Sequence, residues 1–370
     1  MVTVKERLTS LLPDGGDTGE DGMGMWHYRH NPFSLLHSQV KSYLREIIMK
    51  YFLTGATGFL GNVMARQLRA AGHKVHASVR NPQKANDLQS LGVKLFAGDV
   101  TDKESMREAM QGVDGVYHVA GWYKIGARDK SNGEKVNVQG TRNVLELMKE
   151  LDIRKGVYTS TLAVNSDTQG ELKDESYRFT GKHLTEYDRT KAAAHHIAEQ
   201  FIAQGLPLVI VMPGGIYGPG DTSALRRNLI DFLKGKLPAM PTRAGICWAH
   251  VDDTAHGHIL AMEKGIPGET YIIAGEPCTF LDAFQLASHI TGQRVPTAIP
   301  HQIFKPLSLL VKPFDSFLPE IYTSEGFRVL GGVTYWGDNR KAKRFLSYNP
   351  RPLSEGLEST LRHEMSLLGM

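Results

Sequence analysis

The sequence predicts an α/β fold, a doubly wound parallel sheet with a smaller C-terminal lobe. The first observation is an apolar run at residues 50–53, typical of a buried parallel strand, which a glycine-rich turn follows. The second is the helical periodicity of residues 62–71, directly after that turn. Further strand-like runs at residues 74–79 and 155–161 indicate that strands and helices alternate, as in a Rossmann-type sheet.

The glycine-rich turn occupies residues 54–61, Thr-Gly-Ala-Thr-Gly-Phe-Leu-Gly. The first glycine allows a tight turn, the second lets the backbone approach a pyrophosphate, and the third lets the helix pack on the strand. The helix N–H groups would then face the anion. A purely structural turn is the alternative, but the flanking strand and helix favour a dinucleotide site. The expected cofactor contacts in this turn are Gly55, Thr57, Gly58, Phe59, Leu60 and Gly61.

The end of the second strand indicates which dinucleotide binds. Residues 74–79 form that strand, and no acidic residue follows it to hold a ribose 2′-hydroxyl. Arg80 follows instead, with Lys84 one helical turn later, so two cations would meet a 2′-phosphate. We therefore expect NADP as the cofactor, with NAD as the alternative. In that alternative, Arg80 and Lys84 are solvated surface charges.

Tyr187 and Lys191 lie four residues apart in the Ala-rich segment 186–200, which is predicted to be a helix. Their side chains therefore share one helix face. A free tyrosine has a pKa of about 10, and a neighbouring ammonium favours its phenolate form. An amphipathic surface pair is the alternative. The position of the pair favours acid/base chemistry, because the segment comes one element after a strand that ends in hydroxyl groups, residues 155–161.

Several ordered motifs support this interpretation. Beyond the glycines they occupy residues 98–102, 116–120, 137–144 and 213–221. With these motifs, residues 49 to about 350 resemble the extended short-chain dehydrogenase/reductase superfamily, the NAD-dependent epimerase/dehydratase family. Residues 77–82 and 157–161 look most like the dihydroflavonol-4-reductase-like branch.

The resemblance implies roles for individual residues. The family's third catalytic group is a hydroxyl at the end of the fifth strand, which implies Thr161, with Ser160 as the competitor. Thr161, Tyr187 and Lys191 are thus the expected catalytic residues. A hydroxyl that only satisfies local backbone is the alternative for Thr161. The implied cofactor contacts outside the glycine turn are Asp99, Val100, Ala120, Lys191 and Pro213.

The expected function is reversible hydride transfer between a nicotinamide and a carbonyl or secondary alcohol of a small organic substrate, with Tyr187 moving the proton. One alternative is an NAD-dependent sugar or nucleotide-sugar epimerase, because residues 250–276 also look like proteins of that kind. Another is a redox-silent protein that binds NADP as a structural or sensing ligand. A sugar dehydratase is disfavoured, because residues 162–164 lack the acidic pair that such enzymes place there.

Substrate contacts are expected beside the fourth strand and in the insertion after residue 213. The candidates are Trp122, Tyr123, Lys124 and Arg226. The aromatic residues would stack on a ring or simply pack, and the arginine would hold a phosphate or remain solvated.

Three regions are expected along the chain of 370 residues. Residues 1–48 form an N-terminal extension that is either disordered or an artefact of the gene model, since Met49 stands directly before the first strand. Residues 49–220 form the Rossmann domain. Residues 221–370 form mainly a substrate-binding lobe, with a segment at about 245–275 returning to the Rossmann domain.

The composition of the chain limits the classes of partner that it can bind. The net charge is only +4 and the basic residues are scattered, so we expect no nucleic acid. Two cysteines without close spacing fit a reducing cytoplasm. The apolar stretches are too short to cross a bilayer. We expect residues 303–314 to pack in the substrate lobe, with an amphipathic lid or a contact with a membrane surface as the alternative. The family resemblance makes a homodimer possible.

A His- and Asp-rich segment at residues 250–258 permits a metal interpretation, which its spacing disfavours. We expect no metal, and instead a helix capped by Asp252 or Asp253 that runs to Lys264. A further helix is expected from residue 280, with Thr279 and Asp282 as a variant capping box.

Overall fold

The computed structural model describes residues 48–370 except 125, 128 and 319–322. The prediction for residues 1–48 therefore falls, apart from Ile48, outside the described residues. In chain order the strands are β1 (Lys50–Thr54), β2 (Lys74–Val79), β3 (Lys94–Ala97), β4 (Gly115–His118), β5 (Gly156–Thr159), β6 (Leu208–Pro213), β7 (Gly215–Tyr217), β8 (Ala239–Pro241), β9 (Gly245–His250), β10 (Thr270–Ile273), β11 (Pro277–Thr279), β12 (Thr297–Ile299) and β13 (Thr334–Tyr335).

The α-helices alternate with the strands from β1 to β6. They are α1 (Phe59–Ala70), α2 (Asn86–Ser90), α3 (Arg107–Met110), α4 (Gly140–Glu150), α5 (Glu186–Ala203), α6 (Ala224–Leu233), α7 (Val251–Lys264), α8 (Phe280–Thr291), α9 (Phe304–Val311), α10 (Ser324–Leu330), α11 (Arg340–Leu346) and α12 (Leu353–Leu368). A π-helical segment, Gly133–Gln139, leads directly into α4.

Seven strands form the main sheet in the order β10-β6-β5-β4-β1-β2-β3. Every neighbouring pair in it is parallel. The chain order reverses between β1 and β4, so the connections after these two strands leave in opposite directions. Such a switch point opens a crevice at the carboxyl ends of the strands, where ligands of open α/β sheets bind. The structure confirms the predicted Rossmann-type fold.

Alternate residues of β1 point to opposite faces of the sheet and into two separate cores. Leu53 packs with residues of α1 and α7, among them Met64. Phe52 packs with residues of α4 and α5, among them Leu145 and Ala198. The Phe52 and Leu53 side chains are both fully buried, so β1 is covered on each face, as a central parallel strand must be.

A second layer of structure lies in the C-terminal part of the chain. Strand β9 pairs with β11, β13 and β7, while β8 and β12 form a separate two-stranded sheet. Helices α6, α8 and α12 bury their own apolar cluster, which includes Phe232, Phe284 and Leu357. Within the segment predicted to return to the Rossmann domain, β10 is the edge strand of the main sheet, whereas β9 belongs to this second layer. The boundary near residue 220 stays a prediction.

Helix α7 begins differently from its prediction. Its N-cap is His250, whose Nδ1 accepts a hydrogen bond from the Asp252 N–H at 3.3 Å. Asp252 and Asp253 instead lie in the first turn, where carboxylates interact favourably with the helix dipole. Asp253 also forms an ion pair with Arg351. Thr279 caps α8 as predicted, because its hydroxyl accepts from the Asp282 N–H at 3.1 Å. The Asp282 carboxylate accepts from the same hydroxyl, at 2.7 Å.

Candidate active site

Two glycines of the turn after β1 are required by the fold itself. Gly55 has φ +73°, and a Cβ there would lie 2.8 Å from the backbone nitrogen of Ala120. A Cβ on Gly61 would lie 2.1 Å from the Gly55 carbonyl oxygen. The turn, the start of α1 and the segment after β4 therefore approach one another more closely than any side chain permits.

Gly58 differs from these two glycines. Its φ is −83°, which any residue can adopt, and an added Cβ would meet only the Gly55 carbonyl oxygen, at 3.2 Å. Gly58 is the N-cap of α1 and is exposed, as is Thr57. Phe59 and Leu60 begin the helix, so their N–H groups belong to its electropositive first turn. The residues present thus fit a cradle for a pyrophosphate.

Thr54 joins this cradle to the end of β4. Its hydroxyl oxygen accepts hydrogen bonds from the N–H groups of Val119 and Ala120, each at 3.1 Å. The same hydroxyl lies 2.9 Å from Nδ1 of His118. Burial lowers the pKa of His118 to about 3, so the imidazole is neutral and can accept from Thr54. Ala120 is held beside the glycine turn, on the path that the resemblance assigns to the cofactor.

Asp99 and Val100 follow β3 at the same edge of the sheet. Oδ1 of Asp99 accepts from both the N–H and the hydroxyl of Thr101, each at 2.8 Å. Among the described residues, no hydrogen bond to Oδ2 is present beside these, which leaves that oxygen for a ligand amine. The Val100 carbonyl accepts from the Asn143 amide at 2.8 Å, which fixes this loop against α4.

Arg80 and Lys84 lie beyond the end of β2, and both are exposed. The register pairs Thr54 with Ser78, so Arg80 stands at the same sheet edge as the glycine turn. Asn81 accepts from the Gln83 N–H at 3.1 Å and starts a short 3-10 turn that ends at Lys84. The placement is compatible with a 2′-phosphate contact.

Tyr187 lies in the first turn of α5, which Thr185 caps by accepting from the Asp188 N–H at 3.0 Å. Burial raises the pKa of Tyr187 to about 12, while a hydrogen bond with Thr161 partly offsets that effect. The side chain is therefore a phenol at neutral pH. The sequence predicted the opposite direction, a pKa lowered by Lys191, and it underestimated the desolvation of the ring.

Lys191 is buried one turn later on α5. Its ammonium donates to the Thr159 carbonyl at 2.7 Å and to the Tyr158 hydroxyl at 3.2 Å. Burial lowers its pKa to about 7. An ammonium has three donors, and these two bonds leave one for a ligand hydroxyl. A lysine that is only partly charged near pH 7 also stabilises a phenolate less than the sequence suggested.

The structure separates the two hydroxyl candidates after β5. Thr161 accepts from the Ala163 N–H at 3.2 Å, and its hydroxyl is close enough to Tyr187 to lower the pKa of that phenol. Ser160 instead lies 2.7 Å from Nδ1 of His195, on the buried side of α5. The Thr161 hydroxyl therefore both caps a backbone N–H, as in the structural alternative, and lies beside the tyrosine. Ser160 has a partner elsewhere.

Asn137 is a functional candidate to which the sequence gave no role. Its side chain accepts from the Trp122 N–H at 2.7 Å and donates to the Trp122 carbonyl at 2.9 Å. It also donates to the Thr190 hydroxyl at 3.0 Å, which in turn donates to the Tyr187 carbonyl at 3.2 Å. Asn137 thus ties the loop after β4 to the helix that carries Tyr187. The sequence feature that could have identified Asn137 is the motif at residues 137–144. The π-helical backbone of Gly133–Gln139, which positions the side chain, cannot be predicted from a residue pattern.

The predicted substrate residues have different surroundings. Trp122 packs against Gly133, where an added Cβ would lie 3.1 Å from the indole ring. Tyr123 is exposed, and its hydroxyl lies 3.3 Å from the Thr222 hydroxyl. Lys124 is exposed in the same loop. These placements favour packing for the tryptophan and leave the other two exposed on the loop after β4.

Arg226 forms a bidentate ion pair with Glu364 of α12, at 2.7 and 2.9 Å. The Glu364 side chain is almost fully buried. A buried carboxylate needs such a partner, so the pair gives Arg226 a structural role that neither sequence alternative included.

The His-rich segment of α7 serves the architecture. Nδ1 of His258 lies 2.7 Å from the Thr254 carbonyl, and Nε2 lies 2.9 Å from the Thr159 hydroxyl. No group of three or more His, Cys, Asp or Glu side chains within residues 48–370, the gaps excepted, is placed to hold a metal ion. Over the same residues, every helix is too short or too polar to span a bilayer.

The chain is similar in sequence to known proteins. A family model described as the NAD-dependent epimerase/dehydratase family matches residues 51–274. Sterol demethylase protein B of Methylococcus capsulatus is 33% identical over 82% of this chain and 94% of its own. A Synechocystis protein described as a candidate dihydroflavonol 4-reductase is 33% identical over 66% of this chain and 74% of its own.

Solved structures share the fold. UDP-glucuronic acid 4-epimerase from Bacillus cereus, in complex with UDP-glucuronic acid and NAD, superposes with a TM-score of 0.68 at 22% identity. The match covers 86% of this chain and 100% of that one. At this level of identity the likeness concerns the fold alone.

Proposed function

The chain belongs to the NAD-dependent epimerase/dehydratase family of the extended short-chain dehydrogenase/reductases, and from this premise we propose that it is an NADP-dependent carbonyl reductase. It would transfer hydride reversibly between the nicotinamide and a carbonyl or secondary alcohol, with reduction as the net direction. Relatives in the family support an enzyme with a nicotinamide cofactor.

The observation that carries the proposal is the convergence of Thr161, Tyr187 and Lys191 at the carboxyl end of β5. Two strands away, the glycine turn after β1 provides a pyrophosphate cradle at the same edge of the sheet. A cofactor bound in the cradle would extend along Ala120 towards the hydroxyl groups. Pro213 ends β6 on the other side of β5, where it would border the nicotinamide.

The raised pKa of Tyr187 supports reduction. A phenol that keeps its proton at neutral pH is the form that can donate to a carbonyl oxygen as hydride arrives at the carbon. Thr161 would donate a second hydrogen bond to the same oxygen and stabilise its developing charge. Lys191 would use its remaining donor to hold the nicotinamide ribose. When bound, the nicotinamide supplies the hydride.

NADP is the proposed cofactor because two exposed cations, Arg80 and Lys84, follow β2, the strand beside the cradle. A 2′-phosphate would give them charge-assisted hydrogen bonds that a ribose hydroxyl cannot. Asp99, on the loop after β3, would accept from the adenine amine through its second carboxylate oxygen.

A lipophilic substrate fits the comparisons best. One relative is named for sterols, which are ring compounds of low polarity, and another for a dihydroflavonol, which is a polycyclic ketone. Arg226, the predicted cation for a substrate phosphate, is bound to Glu364 instead. We therefore propose a ketone or aldehyde, or the matching alcohol, on a largely apolar skeleton.

The experiment is to identify the dinucleotide in the purified full-length protein by mass spectrometry, before and after NADPH is added. NADPH oxidation is then followed with a panel of ketones and aldehydes, with Tyr187→Phe as the control. Exchangeable NADP(H) and turnover that needs Tyr187 support the reductase. Tightly retained NAD without carbonyl turnover supports the epimerase alternative, and exchangeable NADP that never turns over supports the redox-silent one.

A further inference from the structure

Residues 303–317, called here the apolar segment, expose an unusual number of large apolar side chains. Leu309 is 70% exposed, Leu310 71% and Phe317 82%. Ile303 and Phe314 add to the same surface at 49% and 59%. Isolated exposed apolar residues are normal in proteins, but a run of them within one short segment marks an interaction surface.

The exposed face is held in place by a buried inner face. Phe304 is buried and stacks on Phe327 of α10, with ring centroids 6.2 Å apart. At the other end, the Asp315 carboxylate accepts from the N–H of Ser324, at 2.7 Å, and from its hydroxyl, at 2.5 Å. The segment is therefore an anchored amphipathic element whose outer face has a fixed direction.

Helix α10 connects this segment to the candidate active site. Its Glu325 accepts from the Gly126 N–H at 3.0 Å, three residues after Tyr123. Its Arg328 donates to the Leu184 carbonyl at 3.2 Å, three residues before Tyr187. The helix has only seven residues, so it spans about 10 Å. The apolar segment thus lies next to the loops that border the reacting groups.

The charge of the segment indicates what covers it. Lys305 and Lys312 are both exposed beside the apolar side chains. The single acidic residue of the segment, Asp315, is engaged by Ser324. An apolar face rimmed by lysine matches an anionic phospholipid surface, which binds the cations at its headgroups and the apolar side chains below them. A like-charged second copy of the segment would repel these lysines.

We propose that the apolar segment docks the protein on an anionic phospholipid bilayer, with the active-site crevice towards the lipid, so that a lipophilic substrate enters from the bilayer. The substrate part of this inference rests on the proposed reductase function. The docking part rests on the surface alone.

The test is flotation of the full-length protein with vesicles of phosphatidylcholine mixed with phosphatidylserine, and with vesicles of phosphatidylcholine alone. Two double variants remove the apolar face, Leu309→Ser with Leu310→Ser and Phe314→Ser with Phe317→Ser. A third, Lys305→Glu with Lys312→Glu, reverses the charge. The matched control is Ile266→Ser with Leu367→Ser, which removes apolar side chains elsewhere that are 55% and 61% exposed.

The expected result is binding to the mixed vesicles that weakens in high salt and falls about tenfold or more in each double variant. The control should bind as the wild type does. Circular dichroism and thermal melting verify that every variant is folded. Equal binding by all variants, or no binding by the wild type, overturns the proposal. Sedimentation showing that the Leu309/Leu310 variant dissociates a dimer, without vesicle binding, assigns the surface to a second copy instead.

Reductase assays separate the docking inference from the proposed function. For a water-soluble ketone the wild type and the double variants should turn over equally. For a lipophilic ketone dissolved in the vesicles, the turnover rate of the variants should be about tenfold lower than that of the wild type, in line with their weaker vesicle binding. Vesicle binding without turnover of any carbonyl contradicts the reductase and leaves the docking surface standing. Soluble-ketone turnover without vesicle binding contradicts only the docking.

Discussion

The hydroxyl of Tyr335 donates a hydrogen bond to Oδ2 of Asp188, 3.2 Å away, across 147 positions of sequence. The other carboxylate oxygen accepts from the Thr185 hydroxyl at 2.8 Å. Even with these two donors, burial raises the pKa of Asp188 to about 7. A carboxyl that prefers its proton therefore lies directly beside Tyr187 and is held by a strand from the far end of the chain.

This carboxyl makes stability depend on pH. Between about pH 4 and pH 7 the folded protein binds a proton at Asp188 that the unfolded chain has lost, so the free energy of unfolding falls as pH rises through that range. Asp188→Asn removes the buried charge and should stabilise the protein by about 2–4 kcal/mol at about pH 8 but little at about pH 4. Urea denaturation at the two pH values measures the difference.

Asp152→Asn is the matched control for that experiment, because Asp152 is exposed and has a left-handed conformation that asparagine tolerates as well. It should show no such pH-dependent gain. An Asp188→Asn protein that is no more stable than the wild type at the higher pH contradicts the raised pKa.

Tyr187→Phe should lower kcat of carbonyl reduction by about 10²–10⁴, because the proton donor is lost while the ring still fills its site. The dissociation constant for NADPH should change little, and fluorescence titration of the cofactor verifies this. Tyr177→Phe, on the segment before α5, is the control and should keep normal turnover. Near-normal turnover in Tyr187→Phe would exclude the tyrosine as the acid.

Substitutions of Thr161 and Ser160 should have different effects on kcat and on stability. Thr161→Val should reduce kcat about a hundredfold with NADPH affinity kept, whereas Thr161→Ser should restore most of the rate. Ser160→Ala should instead lower stability by about 1 kcal/mol, since it leaves the buried His195 nitrogen without its partner, and should leave kcat nearly unchanged. The reverse pattern, kcat lost in Ser160→Ala, would reassign the catalytic hydroxyl.

Substitution of the two cradle glycines, Gly58 and Gly61, should affect different properties: stability for Gly61 and NADPH affinity for Gly58. Gly61→Ala should lower the free energy of unfolding by about 2 kcal/mol or more, because its Cβ would collide with the Gly55 carbonyl. Gly58→Ala should lower stability much less than Gly61→Ala, because its Cβ would lie 3.2 Å from the Gly55 carbonyl oxygen. It should weaken NADPH binding about tenfold, because the methyl group would also intrude where the pyrophosphate is expected. Calorimetry and cofactor titration on both variants measure the two effects. Full NADPH affinity in Gly58→Ala argues against the cradle.

Arg80→Ala should raise the dissociation constant of NADPH about tenfold and leave that of NADH unchanged, because only the 2′-phosphate distinguishes the two ligands. Arg66→Ala, on α1, is the matched removal of a cation and should change neither. If Arg80→Ala weakens the binding of NADPH and NADH equally, the arginine does not contact the 2′-phosphate.

The sequence by itself determined the sheet, the glycine turn and the helix that carries Tyr187 and Lys191. These features depend on local properties: the period of apolar residues, the absence of a Cβ and the spacing of four on a helix. Their bounds differ from prediction by a few residues, as when α5 continues to Ala203 and α7 takes His250 as its cap. Such ends depend on backbone partners that the periodicity does not specify.

Only the tertiary structure decided how the side chains at the site are paired and charged. It placed Thr161 beside Tyr187 and gave Ser160 to His195. It bound Arg226 to Glu364, 138 positions away. It also raised the pKa of Tyr187 and lowered that of Lys191, where spacing alone predicted a phenolate-forming pair. Desolvation and long-range hydrogen bonds depend on what the whole fold packs around a group, and no local pattern of residues contains that information.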